Sequence, residues 1–459
     1  MGKATTRTAD AAPTRLRVIF SGRRGWLLFA LLFTEFGGAV QSIAYSSVLP
    51  IATTDLHGTS LYGATLAAGS FTGILVLAIG PAPFSRLRPV ALLGTATTLY
   101  VLGSALSVAA VVMPMVLIGT IVRGIAGGML AGFGLSILGG LFEDKERTRV
   151  YGLFAMMWML PSIVGPAVNA AVTITWGWRA ALAWPAILVI VGRVLIGKQL
   201  ELVPWKRSTA RRPSPTWTIT LLGGLVLATL SPMPNGTAGI VLLAVGCLLA
   251  STASLRILRG QVGPERARLG KVMLLYLLCL CYFGGAGVVS LAAITGLGHG
   301  IVAGTIAVGA GLLAWSLTGF KPELADRWLP KPQVAGLVLV TLGLFAALLT
   351  QTAVGGTPAL VVLISGWFVA GAGMGIAYPR FSASAMDDLP SDRILPVATA
   401  IAFSETAATA IAGFIGGGTY SLARSLALSP TSALSWAFSL LAVFGVTSIV
   451  LYRQLWGEH

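Results

Sequence analysis

Apolar runs about 20 residues long, enough to carry a helix across the hydrocarbon core of a bilayer, recur along this whole chain. They fall near residues 25–52, 61–83, 89–112, 113–141, 147–174 and 178–197, and again near 271–296, 299–319, 333–353, 357–384, 395–423 and 432–453. The pattern predicts an all-α polytopic membrane protein with two sets of six spans. Between the sets lie two weaker runs, 216–230 and 237–256, separated by the turn-forming SPMPNG at 231–236; the first is short for a span. A composition of 56% hydrophobic and 10% charged residues lies far outside that of water-soluble domains. The expected organisation is a tail at 1–24, a six-helix bundle at 25–197, a linker at 198–270 holding two extra helices, a second bundle at 271–453 and a tail at 454–459. Residues 1–24 are polar and basic, and the first apolar run lacks a small-residue cleavage pattern, so no cleaved signal is expected. Cys247, Cys279 and Cys281 offer neither a disulfide framework nor a metal-ligand spacing. They read as small core residues, and no metal or cofactor is expected.

Charge tests the span count independently, because Lys and Arg gather in short cytoplasmic loops. With the amino terminus inside, basic residues occupy the tail (Arg15, Arg17, Arg23, Arg24) and the loops after spans 2, 4 and 6, such as Arg86 with Arg88, and Lys145 with Arg147. They recur at Arg256 to Lys271, at Lys321 to Lys331, at Arg393 and at Arg453; of 31 basic residues, only Arg179 and Arg424 fall outside. Both flanks of the weak pair are basic, so an even number of crossings separates them. Two crossings give 14 spans with both termini cytoplasmic in the cell membrane; none would make the pair a re-entrant or interfacial hairpin. The net charge of +16 then reports topology and attraction to anionic membrane lipid, not nucleic acid. The chain is expected as a monomer.

The halves echo one another. PFSRLRPVALLG at 83–94 and LADRWLPKPQVAG at 324–336 each place a basic, proline-containing turn after the second span of a set. Duplicated halves around a midplane site are a transporter pattern. At this point the chain resembles the major facilitator superfamily, and particularly its fourteen-span drug:proton antiporter branch, over roughly residues 20–455. The family's first loop signature is degraded here: Gly80, Arg86 and Arg88 match, but Phe84 or Ser85 stands where an Asp is usual. The better copy is Asp326, Arg327 and Lys331. RGIAGG, Arg123 to Gly128, is similar to the span 4 signature, and PSIVGPAVNA keeps Gly165 and Pro166 of the antiporter signature while Pro161, Asn169 and Ala170 replace glycines. VQSIAYSSVLP resembles the span 1 pattern, with Gln41 in place of Asp. The resemblance implies two pseudo-symmetric six-helix bundles with two extra central helices, rocking about a central cavity lined by span 1. It also implies that Arg86, Arg88, Asp326 and Arg327 act in switching conformation. By pseudo-symmetry Asp326 is expected near the start of span 5, residues 145–150.

Within the spans, charge is scarce. Of 15 acidic residues, only Glu35 and Glu405 lie well inside the bilayer, where a charge costs about 2.5–3.5 kcal/mol on insertion scales and so marks a functional hypothesis. At 100° per residue, Glu35, Gly38, Gln41, Ser42 and Tyr45 share one helical arc. Glu405 sits at matched depth, about 15 Å from the start of its span. Arg123 reads as the only cation deep in a span, and burying it demands a partner or a polar cavity. Coupling to Glu35, holding substrate and anchoring span 4 all fit it. The glycines Gly124, Gly127, Gly128 and Gly132 read as packing seams. GAGMGIAYPR at 371–380 is no dinucleotide fingerprint, since no strand precedes it.

The expected function is a proton-coupled secondary transporter exporting amphiphilic or apolar small molecules, drug or lipid-like, by alternating access. Its proton-coupling residues are Glu35, Glu405 and Arg123, and its cavity residues Gln41, Ser42, Tyr45, Trp158, Asn169 and Phe403, with Met156, Met157 and Tyr282 as further apolar candidates. A facilitator or importer is the nearest alternative, given Gln41 and the missing first-loop Asp. A receptor or scaffold without transport is another. An enzyme is not expected, because no nucleophile with a base or metal set can be assembled.

Overall fold

Long helices form where the apolar runs lie. The computed structural model describes residues 20–79, 87–141, 144–200, 214–233, 236–320, 322–353, 356–387 and 391–456, and among them the fold is helical with no strand. The first half comprises α1 (Gly22–Asp55), α2 (Tyr62–Ile79), α3 (Pro89–Val108), α4 (Met113–Leu141) and α5 (Asp144–Gly197). A hairpin of α6 (Pro215–Leu230) and α7 (Thr237–Val262) follows. The second half holds α8 (Arg266–Leu291), α9 (Ile301–Phe320), the short α10 (Pro322–Trp328), α11 (Pro332–Thr352), α12 (Gly356–Ala385), α13 (Ser391–Gly413), α14 (Thr419–Ser425) and α15 (Pro430–Trp456). Single π turns extend α8 through Ala292–Gly296 and join α13 to α14 through Phe414–Gly418.

Among the described residues, 12 helices are long and apolar enough to cross a membrane, short of the expected 14. Two places account for the difference. At 16 residues, α6 rises about 24 Å against a hydrocarbon core of about 30 Å. The 54 residues of α5 contribute one candidate, although a straight helix of that length would run about 80 Å. It does not run straight. At Gly177 the backbone takes φ 81° and ψ 170°, a left-handed conformation that disfavours any side chain, and the limbs on either side fold against each other.

The turn is tied down from both sides. Asp55, closing α1, accepts hydrogen bonds from Trp178 Nε1 at 2.9 Å and from Arg179 at 3.3 Å. Arg179 also donates to Ala110 O at 2.9 Å, so one short segment joins α1, the α3–α4 turn and α5. The Trp178 hydrogen bond is the main cause holding the Asp55 carboxyl below its usual range.

The helices through α5 pack chiefly on one another, as do those from α8 onward, and the halves join where α2 meets α13 and α5 meets α9. The α6–α7 hairpin packs on α13 and α2, its own helices closing backbone to backbone at Gly224 and Gly246. Likewise, a side chain at Gly124 or Gly128 would strike α2 at Gly69, Thr72, Gly73 or Val76, so these glycines let α4 approach α2. Cys279 and Cys281 are buried and Cys247 is partly buried.

At the end remote from the described termini the halves touch. The Tyr62 hydroxyl donates to Gly287 O. Ser421 Oγ donates to Thr59 O at 3.0 Å and accepts from the Gly63 amide at 3.1 Å. There the Gly63 backbone lies directly against Gly417 and Gly418, with no room for a side chain.

Candidate functional site: a cavity between the halves

Beneath that contact lies a cavity of about 520 Å³ walled by both halves, with two unlike faces. The first half supplies the polar face, because the arc of α1 bearing Gly38, Gln41, Ser42 and Tyr45 turns toward the cavity beside Arg123 of α4. Arg123 is 9% exposed. Its Nη2 donates to Thr120 Oγ1 at 3.3 Å, and its guanidinium lies 3.8 Å from the centroid of the Tyr45 ring, a cation–π contact. Gln41 is fixed by a hydrogen bond to Leu182 O at 3.3 Å and accepts another from the Tyr100 hydroxyl at 3.0 Å.

Behind Tyr100 is a second buried cation. Arg193, 4% exposed, lies 4.3 Å over the Tyr100 ring and donates to Ala96 O at 3.1 Å. The expectation of one deep cation is therefore corrected: Arg123 and Arg193 flank the same polar network. Arg193 stands near the end of an apolar run, where the packing of α5 on α3 encloses it.

The second half supplies the aromatic face. Tyr282 of α8 stacks on Trp367 of α12 with centroids 5.4 Å apart and meets Trp315 of α9 edge-on at 5.4 Å, while Phe283 lies 5.9 Å from Trp315. All four rings border the cavity. Glycines make the stack possible, since a side chain at Gly285 or Gly311 would strike Trp367.

The two carboxylates lie just outside the wall. Glu35 is half-buried, one turn of α1 before Gly38. Glu405 is half-buried, accepts a hydrogen bond from the Tyr378 hydroxyl at 2.9 Å and neighbours Thr406 and Thr409, which do line the cavity. Glu35 and Glu405 come from opposite halves and lie within electrostatic reach of each other. Tyr378 in turn meets Trp315 edge-on at 6.0 Å, linking Glu405 to the aromatic face. That link joins residues 315, 378 and 405 and left no local pattern in the sequence.

Two expected cavity residues are placed elsewhere. Asn169 is fully buried and accepts a hydrogen bond from Trp184 Nε1 at 3.0 Å; seven to eight residues from Gly177 on either side, the pair clamps the folded limbs of α5. Phe403 is 4% exposed and belongs to the helical core. The side chain of Trp158, like Arg86, lies outside the described residues. Arg88 and Arg327 are exposed at the start of α3 and on α10. Asp326 is held by Arg380 of α12, with Oδ1 accepting from Nε at 3.0 Å and Nη2 at 2.7 Å. The expected neighbours of Asp326, the side chains of residues 145–150, lie outside the described set.

Comparison with known proteins decides the family. The sequence model of the Major Facilitator Superfamily matches residues 27–417, most of the chain. The chain belongs to the major facilitator superfamily. Members similar to it include a "probable multidrug-efflux transporter" of Mycobacterium tuberculosis (strain ATCC 25618 / H37Rv), 27% identical over 87% of this chain and 88% of that one. Multidrug transporter protein MdtP of Bacillus subtilis (strain 168) is 23% identical over 39% of this chain and 34% of its own. Among solved structures, a peptide transporter POT superposes with a TM-score of 0.66 at 16% identity, covering 93% of this chain and 94% of that one. A bacterial homologue of the human lysosomal transporter Spinster superposes with a TM-score of 0.62 at 13% identity, covering 95% and 97%. These two likenesses speak for the fold alone. As a superfamily member the chain is a multi-pass membrane transporter of small molecules.

Proposed function

We propose that this superfamily member is a proton-coupled secondary transporter of the cell membrane, with both termini cytoplasmic, which exports amphiphilic or apolar small molecules by alternating access. The observation that carries the reading is the cavity itself, which lies between the halves, has one polar and one aromatic face, and is closed over at the end remote from the described termini. A ligand held there touches both halves at once, so rocking one against the other would transfer access from one side of the membrane to the other. Similarity to a named multidrug-efflux transporter supports the direction and breadth of transport.

Proton coupling is assigned first to Glu35, with Glu405 and Arg123 assisting. Two carboxylates on opposite halves repel when the halves bring them together, and a proton on either one removes that repulsion. Protonation and bundle movement are thereby linked. The Asp326–Arg380 pair ties α10 to α12 and stands ready to make or break as the second half moves, with Arg86, Arg88 and Arg327 in the flanking loops.

Flux in proteoliposomes with and without an imposed pH gradient tests the reading. The parent protein accumulates substrate only with the gradient; Glu35→Gln abolishes accumulation but keeps substrate exchange. Full accumulation by the Gln variant moves the role to Glu405, and transport by the parent that ignores the gradient leaves a facilitator.

A further inference from the structure

Among the described residues that line the cavity, Arg123 carries the only formal charge and none is a carboxylate. Among the described residues it forms no ion pair: its partners are the Thr120 hydroxyl and the Tyr45 ring. Its Nε is buried with no hydrogen-bond acceptor, and three other buried wall atoms, Tyr45 Oη, Thr65 Oγ1 and Tyr282 Oη, are equally without partners. Guanidinium only donates hydrogen bonds and hydroxyls can donate, so the wall offers unsatisfied donors, with Arg123 Nε and the hydroxyl of Tyr45, the ring it lies on, both on the polar face. A buried cation without a counter-charge is costly. A molecule that enters the cavity can supply that charge directly at the wall.

Resting on the transport reading above, we infer that the cavity selects amphiphilic organic acids. The preferred substrate has one anionic group, a carboxylate or sulfonate, met by Arg123 and the neighbouring hydroxyls. Its flat apolar body lies against the ring cluster of Tyr282, Phe283, Trp315 and Trp367. The shape of the site agrees. The cation and the rings come from opposite halves, so a molecule with an acidic pole and an aromatic pole spans the cavity, whereas a cationic amphiphile would set its charge beside Arg123. A volume of about 520 Å³ is within the range of small-molecule pockets and holds a two- or three-ring compound.

Equilibrium binding separates this inference from the transport reading, because it needs neither flux nor a proton gradient. The full chain in lipid nanodiscs is titrated at pH 7.5 with 2-naphthoate, 2-naphthamide and 2-naphthylmethylammonium, which share one ring system and differ in charge, with empty nanodiscs subtracted. A hydrogen-bonded charge pair in place of a neutral contact predicts naphthoate binding at least tenfold tighter than the amide, with the ammonium weakest. Arg123→Gln erases the preference, Arg123→Lys keeps part of it, and Trp315→Ala weakens naphthoate and naphthamide alike. Amide or ammonium binding in the parent as tight as naphthoate overturns the inference. So does a lack of naphthoate binding at millimolar concentration, or an undiminished preference in Arg123→Gln. The parent comparison stands even if a variant does not fold. Selective naphthoate binding with no flux in proteoliposomes overturns the transport reading alone.

Discussion

A guanidinium inside a bilayer costs several kcal/mol unless something in the protein replaces water, and among the described residues Arg123 and Arg193 are each laid on a tyrosine. Arg123 on Tyr45 and Arg193 on Tyr100 use the negative face of the ring, a contact worth about 0.5–2 kcal/mol depending on desolvation. Gln41 joins them through Tyr100. Gln41 therefore has a structural task as well as a place on the wall. At the other end of α1, Asp55 offers a pH-dependent tie. Its carboxyl is held below its usual value of 3.8, chiefly by the Trp178 hydrogen bond. A depressed carboxyl contributes stability that is present above its unfolded pKa and lost as pH falls through the folded value. Asp55→Asn should therefore lower the melting temperature at pH 7, and the difference from the parent should close on acidification below about pH 3–4. A gap that persists at the lowest pH would mean the ionised carboxylate is not what the tie uses. At this scale the sequence was partly legible. The α1 arc was visible because helical periodicity maps residue numbers onto a face, and its members Gly38, Gln41, Ser42 and Tyr45 do border the cavity. Pairs such as Asp326 with Arg380, Tyr378 with Glu405 and Asn169 with Trp184 join positions whose proximity only tertiary packing decides, so no spacing announces them.

Between elements, small residues set which contacts can open. Most glycine contacts lie within a half and hold rigid packing, as between Gly336 and Gly373 or Gly343 and Gly366 of α11 and α12. Those of Gly63 with Gly417 and Gly418, and of Gly413 with Ala67, cross between the halves. They are specific to the conformation seen, which any alternating cycle must undo. Gly63→Val should then disfavour the closed end without disturbing either half internally. Overpacking of about 1–3 kcal/mol corresponds to roughly a fivefold to hundredfold shift in population. The measurement is maleimide labelling, in detergent and in a background stripped of native cysteines, of a cysteine at Thr53, which is 3% exposed beside this contact. Labelling should rise severalfold; an unchanged rate in a folded Gly63→Val protein would show that this contact does not hold the end shut. Spans were the most legible feature in the sequence, because membrane insertion imposes a long apolar run on each. The reversal within α5 was legible too, as the gap between runs 147–174 and 178–197. Which of the many glycines form the contact between halves was not, since each lies in similar sequence surroundings.

For the whole molecule, the arrangement in the membrane follows from charge and from α6 and α7 together. From the basic flanks of this hairpin, with Arg256 and Arg259 on one side and the run through 206–212 on the other, both its ends are expected on the same face of the membrane. The hairpin packs on α13 and α2, two helices that themselves cross, and α7 at 26 residues is long enough to span. α6 falls about 6 Å short of the core thickness when measured by helix alone. The connecting turn can make up that length, because Ser231 caps α6 through a hydrogen bond to Ala228 O at 2.8 Å and Met233 extends past it, 66% exposed. A crossing pair carries the turn to the far face, whereas a re-entrant pair keeps it on the side of the termini. A cysteine at Met233, in the same stripped background, should react with a membrane-impermeant maleimide added to intact cells, while a cysteine at Arg259 reacts only after lysis. Reaction of both positions only after lysis would place the hairpin on the inner face, reduce the crossings to 12 and assign α6 and α7 a role in closing the seam between the halves alone.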